Sequence, residues 1–199
     1  MAKDTAEYLF KRALWMFGAP TRSWTVIRQS LEHVGKMLPE TGLSNKATLL
    51  ATRLTSLMNE EQARPTLSHE AILKLPPEQQ FIEQVRRLRM EIVETSSGSV
   101  TAVNELIKMG AAAVPALIAA VDDPRPTRVF HCPYGRAGQR ILSISSIGEL
   151  ASQALAGISG KTFKGQSVAG VFAPPTPDTS ELRQEIEAWW VEYQKRLSP

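Results

Sequence analysis

Apolar residues recur along this chain every three or four positions with polar residues between them, which is the spacing of buried helix faces. From Thr5 to Phe17, Ala6, Leu9, Phe10, Ala13 and Phe17 mark one face, with Asp4 or Thr5 as N-cap and Gly18-Ala19-Pro20 as the stop. Ser23 caps a second helix carrying Trp24, Ile27, Leu31, Val34 and Leu38, ended by Pro39 and Gly42. Ser44 opens a third, with Ala47, Leu50, Leu54, Leu57 and Met58 inward and Pro65 beyond its end. Ser68 caps a short segment with Ile72 and Leu75. Pro76-Pro77 breaks it, and Pro77 suits the first position of a fifth helix bearing Phe81, Val85, Leu88 and Ile92.

The stretch 99–124 has the clearest pattern. Val103, Leu106 and Ile107 form a stripe, and Gly110 sits where a left-handed cap ends a helix. Val114, Leu117, Ile118 and Val121 repeat the stripe, with Pro115 in the first turn where its missing N–H costs nothing. Asp122-Asp123-Pro124 closes the second segment, because a residue before proline avoids the helical region. A helix, a tight turn and a second antiparallel helix are expected.

Residues 124–142 carry Pro, Gly and Arg without a period and read as a long irregular loop. Ile144, Ile147, Ala151, Ala154, Leu155 and Ile158 then make a helical stripe capped by Gly160. The tract 161–179 is irregular, with extended character at Thr162-Phe163 and 168–172. A last helix starts at Thr179 or Ser180 and presents Ile186, Trp189, Trp190, Tyr193 and Leu197. Seven or eight helices and no convincing sheet make the expected class all-α. One helical domain over 1–199 is expected, with a sub-boundary at the Thr95-Ser-Ser-Gly-Ser99 linker that divides residues 1–95 from 99–199.

Leu106, Gly110, Ala113, Val114, Pro115, Leu117, Ile118, Ala120, Val121 and Asp123 stand where bacterial HEAT-like repeats carry Leu-x-x-x-Gly-x-x-Ala-Val-Pro-x-Leu-Ile-x-Ala-Leu-x-Asp, with Val121 replacing the last Leu. The chain goes on to resemble such proteins in Thr127-Arg128, in Ile158-Ser-Gly160-Lys-Thr-Phe163 and in Trp189-Trp190, so the resemblance covers about residues 99–196. It implies a HEAT-like α-α superhelix, a stack of antiparallel helix pairs used for binding or scaffolding, with no shared catalytic set. Self-similarity at a fixed period is poor, so the array is at best degenerate.

Composition narrows the function only a little. With 199 residues, 43% hydrophobic and 22% charged, the chain is long enough for a sizeable core. Its net charge of +3 does not by itself argue for nucleic acid. No continuous apolar run reaches the length of a bilayer span. The N-terminus, with Asp4, Glu7, Lys11 and Arg12, lacks the apolar core of a signal peptide. The cytoplasm is therefore expected, or the periplasm if the chain is a trimmed mature form.

The single cysteine, Cys132, and three scattered histidines exclude a disulfide framework and make no zinc-ligand spacing. Neither a metal nor a cofactor is expected. His131-Cys132 with Tyr134 and Arg136 is the most reactive-looking group, yet no nucleophile signature surrounds the thiol, and a loop histidine beside an ordinary free cysteine is the expectation. Glu181 and Glu185 fit the acidic first turn of a helix better than a metal site.

Arg125, Arg128, Arg136, Arg140, Lys161 and Lys164 stand against the single acid Glu149. They either gather at one end of the helical stack or form scattered solvated charge. The expected function is non-enzymatic protein–protein interaction through a surface of Arg125, Arg128, His131, Tyr134, Arg136 and Arg140. Two alternatives stay open: a nucleic-acid-binding, DNA-repair-like protein using these arginines, and an immunity or inhibitor protein with one partner. Trp189 and Trp190 lie in an apolar stripe and are assigned to packing before stacking on bases.

Overall fold

The computed structural model describes residues 2–17, 23–88, 93–94, 101–131, 143–164 and 180–197. The expected boundary at 95–99 lies outside them. The first three helices are α1 (Ala2–Phe17), α2 (Trp24–Met37) and α3 (Gly42–Ala63). Ser23 caps α2 as expected, its Oγ accepting from the Val26 N–H at 3.3 Å. The cap of α3 is Thr41, not Ser44. Ser44 is buried one turn in, and its hydroxyl donates to the Gly35 carbonyl at 2.7 Å, which ties α3 to α2. The expected faces turn inward: Phe10, Ala13, Phe17, Trp24, Ile27, Leu31, Val34, Leu50, Leu54 and Leu57 build one core.

The short α4 (His69–Ile72) is capped by Ser68, and α5 (Pro77–Arg87) begins on its proline as expected. After α6 (Thr101–Met109), Gly110 takes φ +64° and opens a 3-10 turn over Gly110–Ala113, from which α7 (Val114–Ala120) continues. A Cβ at that φ is strained by about 1 kcal/mol, so glycine is favoured there. The two helices make few contacts with each other, and both pack on α5 and on the later helix α8 (Ile147–Ser159). Thr101–Ala120 is long and apolar enough to cross a bilayer by length and composition. It is folded instead around this turn, with Ala102, Val103, Leu106, Ala113, Val114 and Leu117 in a second core.

The chain holds a three-stranded sheet where the sequence pattern points to a loop. The strands are β1 (Val93–Glu94), β2 (Pro126–His131) and β3 (Ser143–Ser146), in the order β1-β2-β3. The first pair is parallel, with Val93 opposite Val129, and the second antiparallel, with Phe130 opposite Ile144. The helical stripe expected from Ile144 therefore starts later: α8 (Ile147–Ser159) begins after Ser146. Ser146 Oγ accepts from the Glu149 N–H at 3.0 Å while the Ser146 N–H donates to Glu149 Oε2 at 2.8 Å, a complete capping box. Two further N–H groups at that helix start, of Ile147 and Gly148, donate to the carbonyls of Arg125 and Asp123.

Pro126 stands at the first position of the central strand, where proline is tolerated. The β2–β3 register shifts between Pro126 and Phe130. Within that irregularity the buried Thr127 hydroxyl donates to the Ser145 carbonyl at 2.8 Å and accepts from the Val129 N–H at 3.1 Å. It thereby supplies partners to two buried backbone groups.

The sheet joins the two cores. Ile144 of β3 belongs to the α1–α3 core, and Val129 of β2 to the second core, formed by α5–α8 and α9 (Ser180–Leu197). Arg128, next to Val129, faces the other way, onto Trp24 of α2. The period-2 alternation of a strand sends these neighbours to opposite sides.

Candidate interaction surfaces and the charged seam

The basic stretch singled out from the sequence divides into parts. Arg125 turns inward. Its Nε donates to Asp123 Oδ1 and Oδ2 at 2.9 and 3.0 Å, and its Nη1 reaches Glu60 of α3. The hydrogen bonds it donates to Asp123, opposed by burial and aided by Glu60, hold the Arg125 guanidinium above the ordinary arginine range. Arg128 is 7% exposed, its guanidinium carbon 4.2 Å from the centroid of the Trp24 ring. Burial lowers its pKa, so the ring faces a cation that has lost water. His131 ends β2 opposite Ser143. Tyr134, Arg136 and Arg140 lie outside the described residues, as does Cys132.

Arg125 is one link in a longer seam. Glu60 also accepts from Arg86 Nε at 3.2 Å, and Arg86 Nη1 donates to Glu83 at 3.0 Å. Glu83, 1% exposed, takes Arg64 on its other oxygen. The order Asp123–Arg125–Glu60–Arg86–Glu83–Arg64 alternates charge and fastens α3 to α5 and to the connection before β2. Arg53 is buried in α3, its pKa lowered by desolvation and raised by Asp123. Sequence reading missed this seam because Glu60 and Arg125 lie 65 residues apart. The acid run at Asn59–Glu61 looks like an ordinary helix end.

Toward the C-terminus the chemistry is of another kind. Trp189 and Trp190 of α9 lie half-buried against the second core, with Phe163 beneath and Tyr193 against both indole rings. Trp190 and Tyr193 stack with centroids 5.6 Å apart and planes 15° off parallel. Phe163 meets Trp189 edge-on at 5.8 Å. Beside them opens a cavity of about 500 Å³ with Phe163, Trp189 and Tyr193 on its wall and Lys161, Arg196, Glu185 and Glu192 around it.

The two carboxylates there already have partners. Glu185 accepts the Lys164 N–H at 2.6 Å, and Glu192 accepts from Lys195 at 2.9 Å, which lowers the Glu192 pKa. Glu185, whose partner is a neutral amide, keeps its charge, so the rim carries Lys161 and Arg196 against Glu185. Arg183 anchors α9 to the second core through Asp122 and, at 3.4 Å, the Ile118 carbonyl. Trp189 is therefore both packing and groove wall, while Trp190 packs against the second core beside it.

Among the described residues no three His, Cys, Asp or Glu side chains are grouped to hold a metal ion. Compared with known protein families, curated proteins and solved structures, the chain matches none.

Proposed function

We propose that this chain is a non-enzymatic protein-interaction module of the HEAT-like kind its sequence resembles, and that its docking site is the groove along α9. The supporting observation is the partly exposed row Trp189, Trp190 and Tyr193 beside a cavity of about 500 Å³ with Lys161 and Arg196 among its rim residues. Tryptophan, tyrosine and arginine carry most of the binding energy at protein interfaces, because their large rigid surfaces lose little entropy on docking. Lys161, Arg196 and the Lys195 that pairs with Glu192 outnumber the two carboxylates of the groove, so it suits an acidic segment that carries an apolar anchor.

The inward-turned Arg125 and Arg128 support a structural part for that end of the original basic cluster. The test is selection of random displayed peptides on the folded chain. Selected peptides enriched in Asp or Glu around a Leu, Phe or Trp support the reading. A chain that enriches no peptides, or basic ones, contradicts it.

A further inference from the structure

We propose, independently of the α9 groove, that the outer face of α1 and the cleft between α1 and α2 dock the chain on an anionic lipid surface. The core takes Ala6, Phe10, Ala13, Leu14 and Phe17 from α1. At about 100° per residue, the opposite face of the helix carries Tyr8, Lys11, Arg12 and Trp15. Tyr8 is 63% and Trp15 45% exposed, and Val26, across the cleft on α2, is 37% exposed. Isolated exposed apolar residues are ordinary. Two aromatics two turns apart on one face, with two cations between them, form a pattern.

The cleft adds a second observation. It is an open cavity of about 370 Å³ with Leu9, Met16 and Val26 as apolar lining and Arg12 and His33 as its ionisable groups. Its remaining lining residues, Gln29 and Ser30, are neutral. No carboxylate lines it among the described residues, and the nearby Glu32 is paired with Arg28 at 2.7 Å. On the face itself the acid is Asp4, one turn before Tyr8 at the helix start.

Indole and phenol rings with a polar tip settle at headgroup depth, and lysine and arginine beside them meet anionic phosphates. The cleft runs from Leu9 to Met16, about 10 Å at helical rise, and its apolar residues Leu9, Met16 and Val26 suit part of an acyl chain. An outward-facing helix needs only a lipid surface to satisfy all these groups at once, whereas a protein would have to match their spacing. The chain would lie on the bilayer, since the apolar face of α1 is committed to the core.

Co-sedimentation at low salt with phosphatidylcholine vesicles, with and without phosphatidylglycerol, tests this. The chain is expected to pellet with the anionic vesicles and stay in solution with the neutral ones. Arg12→Glu should weaken vesicle binding by more than about tenfold, since it removes one attractive charge and adds a repulsive one. Trp15→Ala and Tyr8→Ala should each weaken it by roughly fivefold. Lys195→Glu, on α9, should bind as wild type. All four positions are exposed, so the melting temperature should hold. The proposal is overturned by absence from the anionic pellet, by equal binding to neutral vesicles, or by full binding of the Arg12 and Trp15 variants. Capture by soluble polyglutamate that Arg12→Glu abolishes, without vesicle binding, would also overturn it, and would assign the face to an acidic protein.

Discussion

The guanidinium of Arg128 lies over the face of Trp24, 4.2 Å from the ring centroid, and this contact crosses from the sheet to the N-terminal helices. Desolvation works against the Arg128 charge, so the ring and the residue's other contacts have to offset that cost. Arg128→Ala is expected to lower stability by about 2 kcal/mol in urea denaturation. Arg128→Lys should recover only part of that, since an ammonium lacks the flat surface that covers an indole. A double-mutant cycle with Trp24→Phe should give a coupling of about 1 kcal/mol. Additive losses would mean that the two residues pack side by side without acting on each other.

Glu60 accepts from both Arg86 and Arg125, and Glu83 from both Arg86 and Arg64. Glu83 is the more deeply buried, so its removal leaves the nearly buried Arg86 short of a counter-charge in a drier place. Glu83→Gln is expected to cost about 3 kcal/mol and Glu60→Gln about 1–2 kcal/mol, read from the same denaturation curves. Equal and negligible losses would show that the seam is a set of surface pairs.

Thr127 supplies a hydroxyl to two buried backbone groups, the Ser145 carbonyl and the Val129 N–H. Thr127→Val keeps the shape and removes both bonds, at an expected cost of about 2 kcal/mol, whereas Thr127→Ser keeps them and should cost less than about 1 kcal/mol. A valine variant as stable as the serine one would show that water or a relaxed backbone fills the gap.

Burial raises the pKa of Glu149, with its bond to the Ser146 N–H acting in the opposite direction. A carboxyl whose folded pKa is raised contributes stability below its unfolded pKa, and that contribution is lost as pH rises through the folded value. Wild type should therefore lose this contribution as the pH climbs above the ordinary carboxylate range. Glu149→Gln keeps an acceptor for the capping box and has no charge to bury. Its melting temperature at neutral pH should equal or exceed that of wild type, and the slope between pH 4 and 7 should flatten by about one group's worth. A clear drop at neutral pH would show that the helix start needs the negative charge.

The helices were legible because each writes its own period. Ile27, Leu31 and Val34 point inward because their spacing leaves no other choice, and Ser23 and Ser68 cap where they stand. Gly110 takes the left-handed conformation its place demands. The sheet was not legible. Its six-residue central strand starts with a proline, alternates over only a few described side chains and is surrounded by Pro, Gly and Arg. Ile144 and Ile147, three apart, mimic a helix face across the boundary between a strand and its cap. The arginines were visible, but their partners were not: Trp24 and Glu60 come from helices far away in the chain, and local charge counting cannot see a counter-ion that folding brings in. The α9 groove was half legible, since the stripe of Trp189, Trp190 and Tyr193 announces a buried edge and gives no sign of the cavity beside it.

The most direct test of the account is a binding titration that separates the groove from the structural arginines. A fluorescent acidic peptide obtained by selection on wild type should lose about tenfold or more in affinity for the Lys161→Glu, Arg196→Glu double variant and for Tyr193→Ala. The double variant should also melt within a few degrees of wild type, because both cations are exposed. Undiminished affinity in a double variant that is folded and equally stable would contradict the assignment of α9 as the docking site.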